Sequence, residues 1–279
     1  MVGNEGFLID AGEGVQIQMT RYGISHQRIR HIFISHLHGD HYLGLAGLLF
    51  SMHLSRRKED LHLYAHRGLD SILQLHLRYA GSVLSYKLHF HRIEEGLNDI
   101  VLDQENLSVR AFPMNHRIAC SGFLFLEKEK PRRMRKERMP KGMLLQHIVR
   151  LKAGERILDE EGRLLFDPEE LTYPAPHCRS YAYCSDTAPS PQLAEQIRGT
   201  DLLYHEATFL SSEADRATET YHSTAAQAAQ VAVQAKAGRL LIGHISARYK
   251  DHQAVLNEAR SIFPATELAT EGMTVNLPE

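Results

Sequence analysis

The six residues His36-Leu37-His38-Gly39-Asp40-His41 gather three imidazoles and a carboxylate directly after the apolar run Ile32-Phe33-Ile34. His36 and His38 lie two apart on extended backbone, so both rings can turn toward one ion. Asp40 and His41 follow the turning Gly39 and can reach a second ion beside it. Imidazole nitrogen and carboxylate oxygen suit Zn²⁺ at about 2.0–2.2 Å. The chain holds 18 histidines, so chance pairs are expected. A full His-x-His-x-Asp-His between a strand and an amphipathic helix is much harder to obtain by chance.

Two ions with open positions for water and substrate need about seven protein ligands. The cluster supplies four, so the remainder must come from later strand ends. His116, Asp186 and His244 each stand just past an apolar strand pattern, where a loop can carry them to a shared site. Taken singly, each is an ordinary residue after a strand; the three in this order carry the inference.

The elements that must position these groups alternate along the chain. Phe7–Ile9, His31–Ser35 and Leu61–Tyr64 read as strands, with helices over Glu13–Tyr22, Tyr42–Leu54 and Leu69–Tyr79. From Leu88 the pattern turns to strands, at Leu88–Ile93, Ile100–Leu102, Leu107–Phe112 and Phe123–Leu126. The last third alternates again: strands Tyr181–Cys184, Leu202–His205 and Leu240–Gly243, with helices Pro191–Arg198, Ser223–Ala237 and Gln253–Phe263, then Leu268–Ala269 and Thr274–Leu277. Such an order points to an α/β sandwich.

At 279 residues and 43% hydrophobic, the chain can bury a sizeable core. A net charge of −2 excludes a globally basic protein, so any nucleic-acid contact must come from local patches. Cys120, Cys178 and Cys184 are odd in number and lack CxxC spacing, which argues against a disulfide scaffold. With no membrane-span pattern and no signal-peptide pattern at the start, a soluble cytoplasmic setting is expected.

Residues 127–179 break the alternation. Lys130, Arg132, Arg133, Arg135, Lys136, Arg138 and Lys141 crowd into twelve positions with Glu137 as the one acid. A segment of this length is usually a functional insertion or disordered. A concentrated basic run in a near-neutral chain is a candidate phosphate footprint, though most charge runs are solvated faces.

Five segments carry a family likeness: Phe7–Gly14, Ile34–His41, Leu203–Phe209 with its His-Glu-Ala-Thr, Tyr221-His-Ser-Thr224, and Gly243–Tyr249. Together they resemble the metallo-β-lactamase superfamily and, within it, the ribonuclease Z family of tRNA 3′-processing endonucleases. The first two segments are shared across the superfamily; His-Glu-Ala-Thr and His-Ser-Thr are far more specific. The resemblance implies one α/β domain over 1–279, a metallo-β-lactamase αβ/βα sandwich of two mixed sheets flanked by helices, with 127–179 inserted as a flexible arm. It further implies two Zn²⁺ per chain: His36, His38 and His116 on one, Asp40, His41 and His244 on the other, and Asp186 bridging. A water between the ions, acidified toward hydroxide, would attack phosphorus, oriented by Asp40. His222 would protonate the leaving 3′-oxygen with Glu206 holding its ring. Without the resemblance, these two read as a strand-end and N-cap pair. Asp10 is expected to orient another group or cap the following turn rather than bind metal.

The resemblance also implies a homodimer acting on precursor tRNA, with the basic arm and Arg248 as RNA contacts. Structured RNA is read by shape and phosphate, which suits such an arm. The chain departs from the family in several places. Only six residues precede Phe7, so an N-terminal strand is expected to be missing. Gly142-Met143 replaces a Gly-Pro pair, Ser185 stands where glycine is common, and Ala11 replaces a frequent cysteine. Two other readings stand beside the leading one: another hydrolase of the same fold acting on a small phosphodiester or thioester, and a metal-bound relative that binds RNA without cutting it.

Overall fold

In the computed structural model, which describes residues 1–277, two sheets face each other and helices cover their outer sides. The first sheet is β1 (Gly6–Ile9), β2 (Ile29–Phe33), β3 (Leu61–His66) and β4 (Leu88–Ile93), in that order and parallel throughout. Parallel strands need crossover helices, and the chain supplies α1 (Val15–Arg21), α2 (Gly39–Tyr42), α3 (Leu45–Leu54) and α4 (Leu69–Tyr79). Leu45, Leu48, Leu49 and Met52 of α3 are buried against Ile32, Leu61 and Leu63.

The second sheet is mixed. It takes β5 (Asp99–Asp103), β6 (Leu107–Pro113) and β7 (Ser121–Glu127) as an antiparallel meander. The chain then leaves for the inserted segment, where β8 (Arg133–Met134), α5 (Leu145–Lys152), β9 (Ile157–Leu158), β10 (Leu164–Phe166), α6 (Pro168–Leu171) and β11 (Thr172–Tyr173) build two small ladders. Leu151, Ile157 and Leu171 are buried as a core of their own there. Back in the sheet, β12 (Ser180–Cys184) pairs antiparallel with β7 and parallel with β13 (Leu202–Glu206); β14 (Arg239–Gly243) and β15 (Thr266–Leu268) continue the parallel side. Over it lie α7 (Pro191–Gln196), α9 (Ala225–Ala235) and α10 (Gln253–Ile262), with α8 (Ala214–Thr220) preceding α9. Alanines 225, 228, 229 and 232 let α9 sit close on the sheet.

Two sequence expectations need correction, and one helix had no counterpart among them. The helix expected over Tyr42–Leu54 is broken at Gly44, because the 10–14 loop packs there. A Cβ on Gly44 would collide with the Gly12 carbonyl, and one on Gly12 with the Asp40 carbonyl. No strand forms at Thr274–Val275-Asn276-Leu277. The short helix α8, rich in charge and Thr, was unexpected because it lacks an apolar stripe.

Between the sheets, parallel register stacks rings in two rows. Phe7, His31, His62 and His89 are cross-strand neighbours, with centroids 5.1, 5.1 and 4.7 Å apart. Phe33, Tyr64 and His91 form the second row at 4.5 and 4.4 Å. These gaps follow the strand spacing of about 4.7–4.9 Å. His62 Nδ1 and His91 Nε2 join the rows at 2.9 Å. Burial first, then the neighbouring His62, His91 and Arg30, push His31 down to about 4, against Glu5. His62 is lowered by burial and His89, against Asp60; His91 by burial, His62 and His89. A histidine whose folded value is depressed binds its proton more readily when unfolded. The contribution of these three histidines is therefore full above pH 6.5 and is lost as pH falls through about 4, His31 alone accounting for roughly 3 kcal/mol. Chemical denaturation of His31→Phe, which extends the Phe7 stack, should show a flatter acid limb than wild type between pH 6.5 and 4. An unchanged limb would place the acid sensitivity elsewhere.

Candidate metal centre

At the carboxyl ends of the strands, seven side chains from both sheets converge. His36 Nε2 lies 3.0 Å from His38 Nδ1 and 3.5 Å from Asp186 Oδ2. His116 Nε2 is 3.2 Å from His38 Nδ1 and 3.9 Å from the same Asp186 oxygen. On the other side, His41 Nε2 stands 3.5 Å from both Asp40 Oδ2 and Asp186 Oδ1. His244 Nε2 stands 3.4 Å from those two oxygens. Four ligands around one zinc at about 2.0–2.1 Å place neighbouring ligand atoms about 3.3 Å apart. Both groups match that edge length, and Asp186 gives one oxygen to each. His41 Nε2 and Asp186 Oδ1 are buried without any hydrogen-bond partner, which costs free energy unless a cation satisfies them. The donor set therefore fits two divalent ions.

Charge in the pocket agrees. Burial, reinforced by His41, pushes His36 down to about 3, leaving the neutral ring that metals bind. Against burial, the hydrogen bond to Asp10 and the nearby Asp186 charge hold His41 up to about 10 while no cation is bound. Asp186, despite burial, is held below the usual carboxylate range, and the His244 contact brings Asp40 to about 2. Two ionised carboxylates thus draw positive charge inward. The Asp40 side chain is 65% exposed, and that edge is open to a substrate.

The ring nitrogens turned away from the pocket are held as ligand histidines require. His41 Nδ1 donates to Asp10 Oδ2 at 2.8 Å, and His36 Nδ1 reaches Ser35 Oγ at 3.0 Å. His116 Nδ1 meets the Tyr221 carbonyl at 3.0 Å, and His244 Nδ1 meets Thr208 Oγ1 at 3.0 Å. Asp10, Tyr221 and His244 all sit in the left-handed region, with φ of 57°, 57° and 56°. Such backbone persists where the surroundings over-determine it. Asp10 is the orienting group expected from its position; Thr208 and Ser35 were missed, although both stand inside the quoted motifs.

Glu206, at the end of β13 and fully buried, is 2.9 Å from His222 Nδ1. It also accepts from the backbone N–H groups of Thr187, Ser223 and Thr208 and from the Thr208 hydroxyl. His222 is pinned between the left-handed turn at Tyr221 and the capping box of α9, where Thr224 and Gln227 bond reciprocally. Its ring stacks on His244 at 5.5 Å and meets His116 edge-on at 5.3 Å. A ring nitrogen of His222 lies within 4.8 Å of ligand atoms of Asp186 and His244.

A "Ribonuclease Z" of Cytophaga hutchinsonii is 48% identical over 96% of this chain and 86% of that protein. One of Bacteroides thetaiotaomicron is 43% identical over 97% of this chain and 86% of its own length. The chain belongs to the ribonuclease Z family. The crystal structure of human tRNase Z, short form, is similar to this chain with a TM-score of 0.72 and 25% identity, over 100% of this chain and 91% of that one. YhfI of Bacillus subtilis, a metallo-β-lactamase fold protein at 16% identity and TM-score 0.67, shares the fold over 98% of this chain and 87% of its own. The family model described as anti-Pycsar protein Apyc1 matches residues 1–128. The fold is the metallo-β-lactamase sandwich, as in YhfI, and its His/Asp pocket could hold metal.

The basic residues of 130–141 belong to the separate elements of the inserted segment. Lys130 pairs with Glu127, Arg132 with Glu169, and Arg135 covers the Tyr173 ring at 4.9 Å. Arg133, Lys136, Arg138 and Lys141 are exposed on the inserted segment. Arg248 pairs with Glu213 at 2.7 Å and lies over Phe209, whose ring meets His222 at 6.2 Å. Among the described residues no helix is long and apolar enough to cross a membrane.

Proposed function

We propose that this chain is a zinc-dependent endoribonuclease that removes the 3′ trailer of tRNA precursors after the discriminator nucleotide. The observation that carries it is Asp186 dividing its two oxygens between two ligand sets, with the Glu206–His222 pair at the same rim. His36, His38 and His116 would hold one zinc, Asp40, His41 and His244 the other, with Asp186 shared. When bound, the two ions acidify water and offset the negative charge that the phosphate gains.

The protein's own groups do the rest. Asp40, on the open edge, orients the attacking water by accepting its hydrogen bond. Glu206 fixes the proton on His222 Nδ1, so Nε2 is the nitrogen that carries a proton to the leaving 3′-oxygen. The segment 127–179 acts as an RNA-binding arm. The exposed Arg133, Lys136, Arg138 and Lys141 meet phosphates there, supported by Lys130, Arg132 and Arg135 nearer its root, while Arg248 contacts RNA beside the pocket. A cytoplasmic homodimer completes the reading; its mass in solution would be twice 31.7 kDa.

One experiment tests the proposal. Purified protein with Zn²⁺ should cut a precursor tRNA after the discriminator nucleotide, and Asp40→Ala should bind the precursor without cutting. Alanines at Lys136, Arg138 and Lys141 should slow tRNA cleavage while sparing bis(p-nitrophenyl) phosphate. Equal loss on both substrates would make the arm structural. A wild type that leaves the precursor whole while hydrolysing a thioester would sink the proposal.

A further inference from the structure

Tyr183, on β12 three residues before the shared Asp186, has no role in the reaction described so far. Its hydroxyl donates to Asp10 Oδ2 at 2.8 Å. That oxygen also takes His41 Nδ1 at 2.8 Å and Ser35 Oγ at 2.9 Å, while Asp10 Oδ1 accepts the Ser35 N–H at 2.8 Å. Two residues further on, Ser185 places its hydroxyl 3.1 Å from Ser35 Oγ. Asp10, Ser35, His36 and His41 follow strands β1 and β2 of the first sheet, whereas Tyr183 is on β12 of the second and Ser185 just past its end. The network therefore crosses between the sheets directly beneath the pocket.

We propose that Tyr183, supported by Ser185, is a positioning residue that locks Asp10 onto His41 and so sets the Asp40–His41–His244 half of the pocket. The inference rests on the ligand set given above.

Each proton in the network has one place to go. With ions in the pocket, His41 and His36 would offer bare Nε2 atoms to them, so both would carry hydrogen on Nδ1. His41 gives its proton to Asp10, and His36 gives its own to Ser35 Oγ. Ser35 Oγ then has a single hydrogen, which goes to Asp10 Oδ2, and it accepts from Ser185 as well. Asp10 can only accept, and among the described residues Tyr183 is the one donor on it that comes from the opposite sheet. Burial, then the Asp10 charge, push the Tyr183 phenol well above its ordinary value, so it stays a donor at every working pH. Asp10 itself is held in left-handed backbone, which favours glycine, so its side chain needs external anchors to stay in place.

Tyr183→Phe removes the hydroxyl and keeps the ring, which stacks on Tyr204 at 4.8 Å and 10°. Asp10 then turns more freely about its own side chain, and His41 loses its fixed aim. Outer partners of metal-binding histidines are worth about 10–100-fold in metal affinity. The loss should fall on the ion held by His41, and the ion held by His36, His38 and His116 should keep its affinity. Ser185→Gly should weaken the same ion by a smaller factor, because it touches Asp10 only through Ser35.

The test is a competition titration of the full chain with Zn²⁺ and a fluorescent chelator, paired with thermal melts of the metal-free proteins. Tyr204→Phe serves as the packing control, since it changes the stacked partner and leaves Asp10 alone. The expected result is two wild-type sites, one of them weakened about tenfold or more in Tyr183→Phe, with an unchanged metal-free melting temperature and both sites intact in Tyr204→Phe. Wild-type affinities in Tyr183→Phe, or the same loss in Tyr204→Phe, would overturn the role of Tyr183 while leaving the ligand set standing. A wild type that takes up no Zn²⁺ would overturn both together.

Discussion

Asp186→Ala is expected to cost both metal ions rather than one, and with them all measurable cleavage. Its two oxygens stand 3.5 Å from His36 Nε2 and His41 Nε2, one toward each ligand set. Without it, five histidine rings remain within a few ångströms of one another with Asp40 as their one anionic partner in the pocket. Ring-to-ring contacts such as His36–His41, at 4.0 Å between centroids, then go without the charge that holds two cations together. The affinity loss should exceed the roughly 10–100-fold attached to an outer-shell partner. Metal content after dialysis against a weak chelator measures it directly: wild type should retain two ions and Asp186→Ala fewer than one. Retention of two ions by the variant would show that the groups do not share this carboxylate.

Glu206→Gln should lose about 10²–10⁴-fold in single-turnover cleavage while keeping its metal, and His222→Ala should lose a similar factor. The glutamine is nearly isosteric, yet it is not a mild change here. Glu206 accepts from three backbone N–H groups, the Thr208 hydroxyl and His222. An amide replaces one acceptor oxygen with a donor, so at least one buried N–H is left facing another. If the two residues act as one unit, the double variant should be little worse than either single one. Additive losses would show that Glu206 acts apart from His222. A fall in metal content parallel to activity would assign the pair to the pocket's structure instead of to proton transfer.

Much of the frame was legible because its signals are local. The α4 boundaries and the β4 strand follow from apolar periodicity and turn residues alone. The His-x-His-x-Asp-His spacing names its ligand types without any fold, since two-residue spacing on extended backbone already points rings to one side. What resisted reading depended on distant packing. Gly44 breaks a helix because the Gly12 carbonyl occupies the space of a side chain, and no local pattern announces that contact. The basic run reads as one phosphate footprint, yet Arg132 and Arg135 turn inward to Glu169, Thr172 and Tyr173 once the inserted segment builds its own core.

By itself the sequence determined the kinds of ligand, their order along the chain and the family to which they belong. Only the tertiary structure decided how they share charge. His244 and Asp40 lie 204 residues apart in the chain, and Tyr183 and Asp10 lie 173 apart. Each pair meets because parallel strands from two sheets end at the same rim. Chemical type is carried by each residue alone, whereas which oxygen faces which nitrogen follows from how the two sheets pack, and that is settled by the whole core at once.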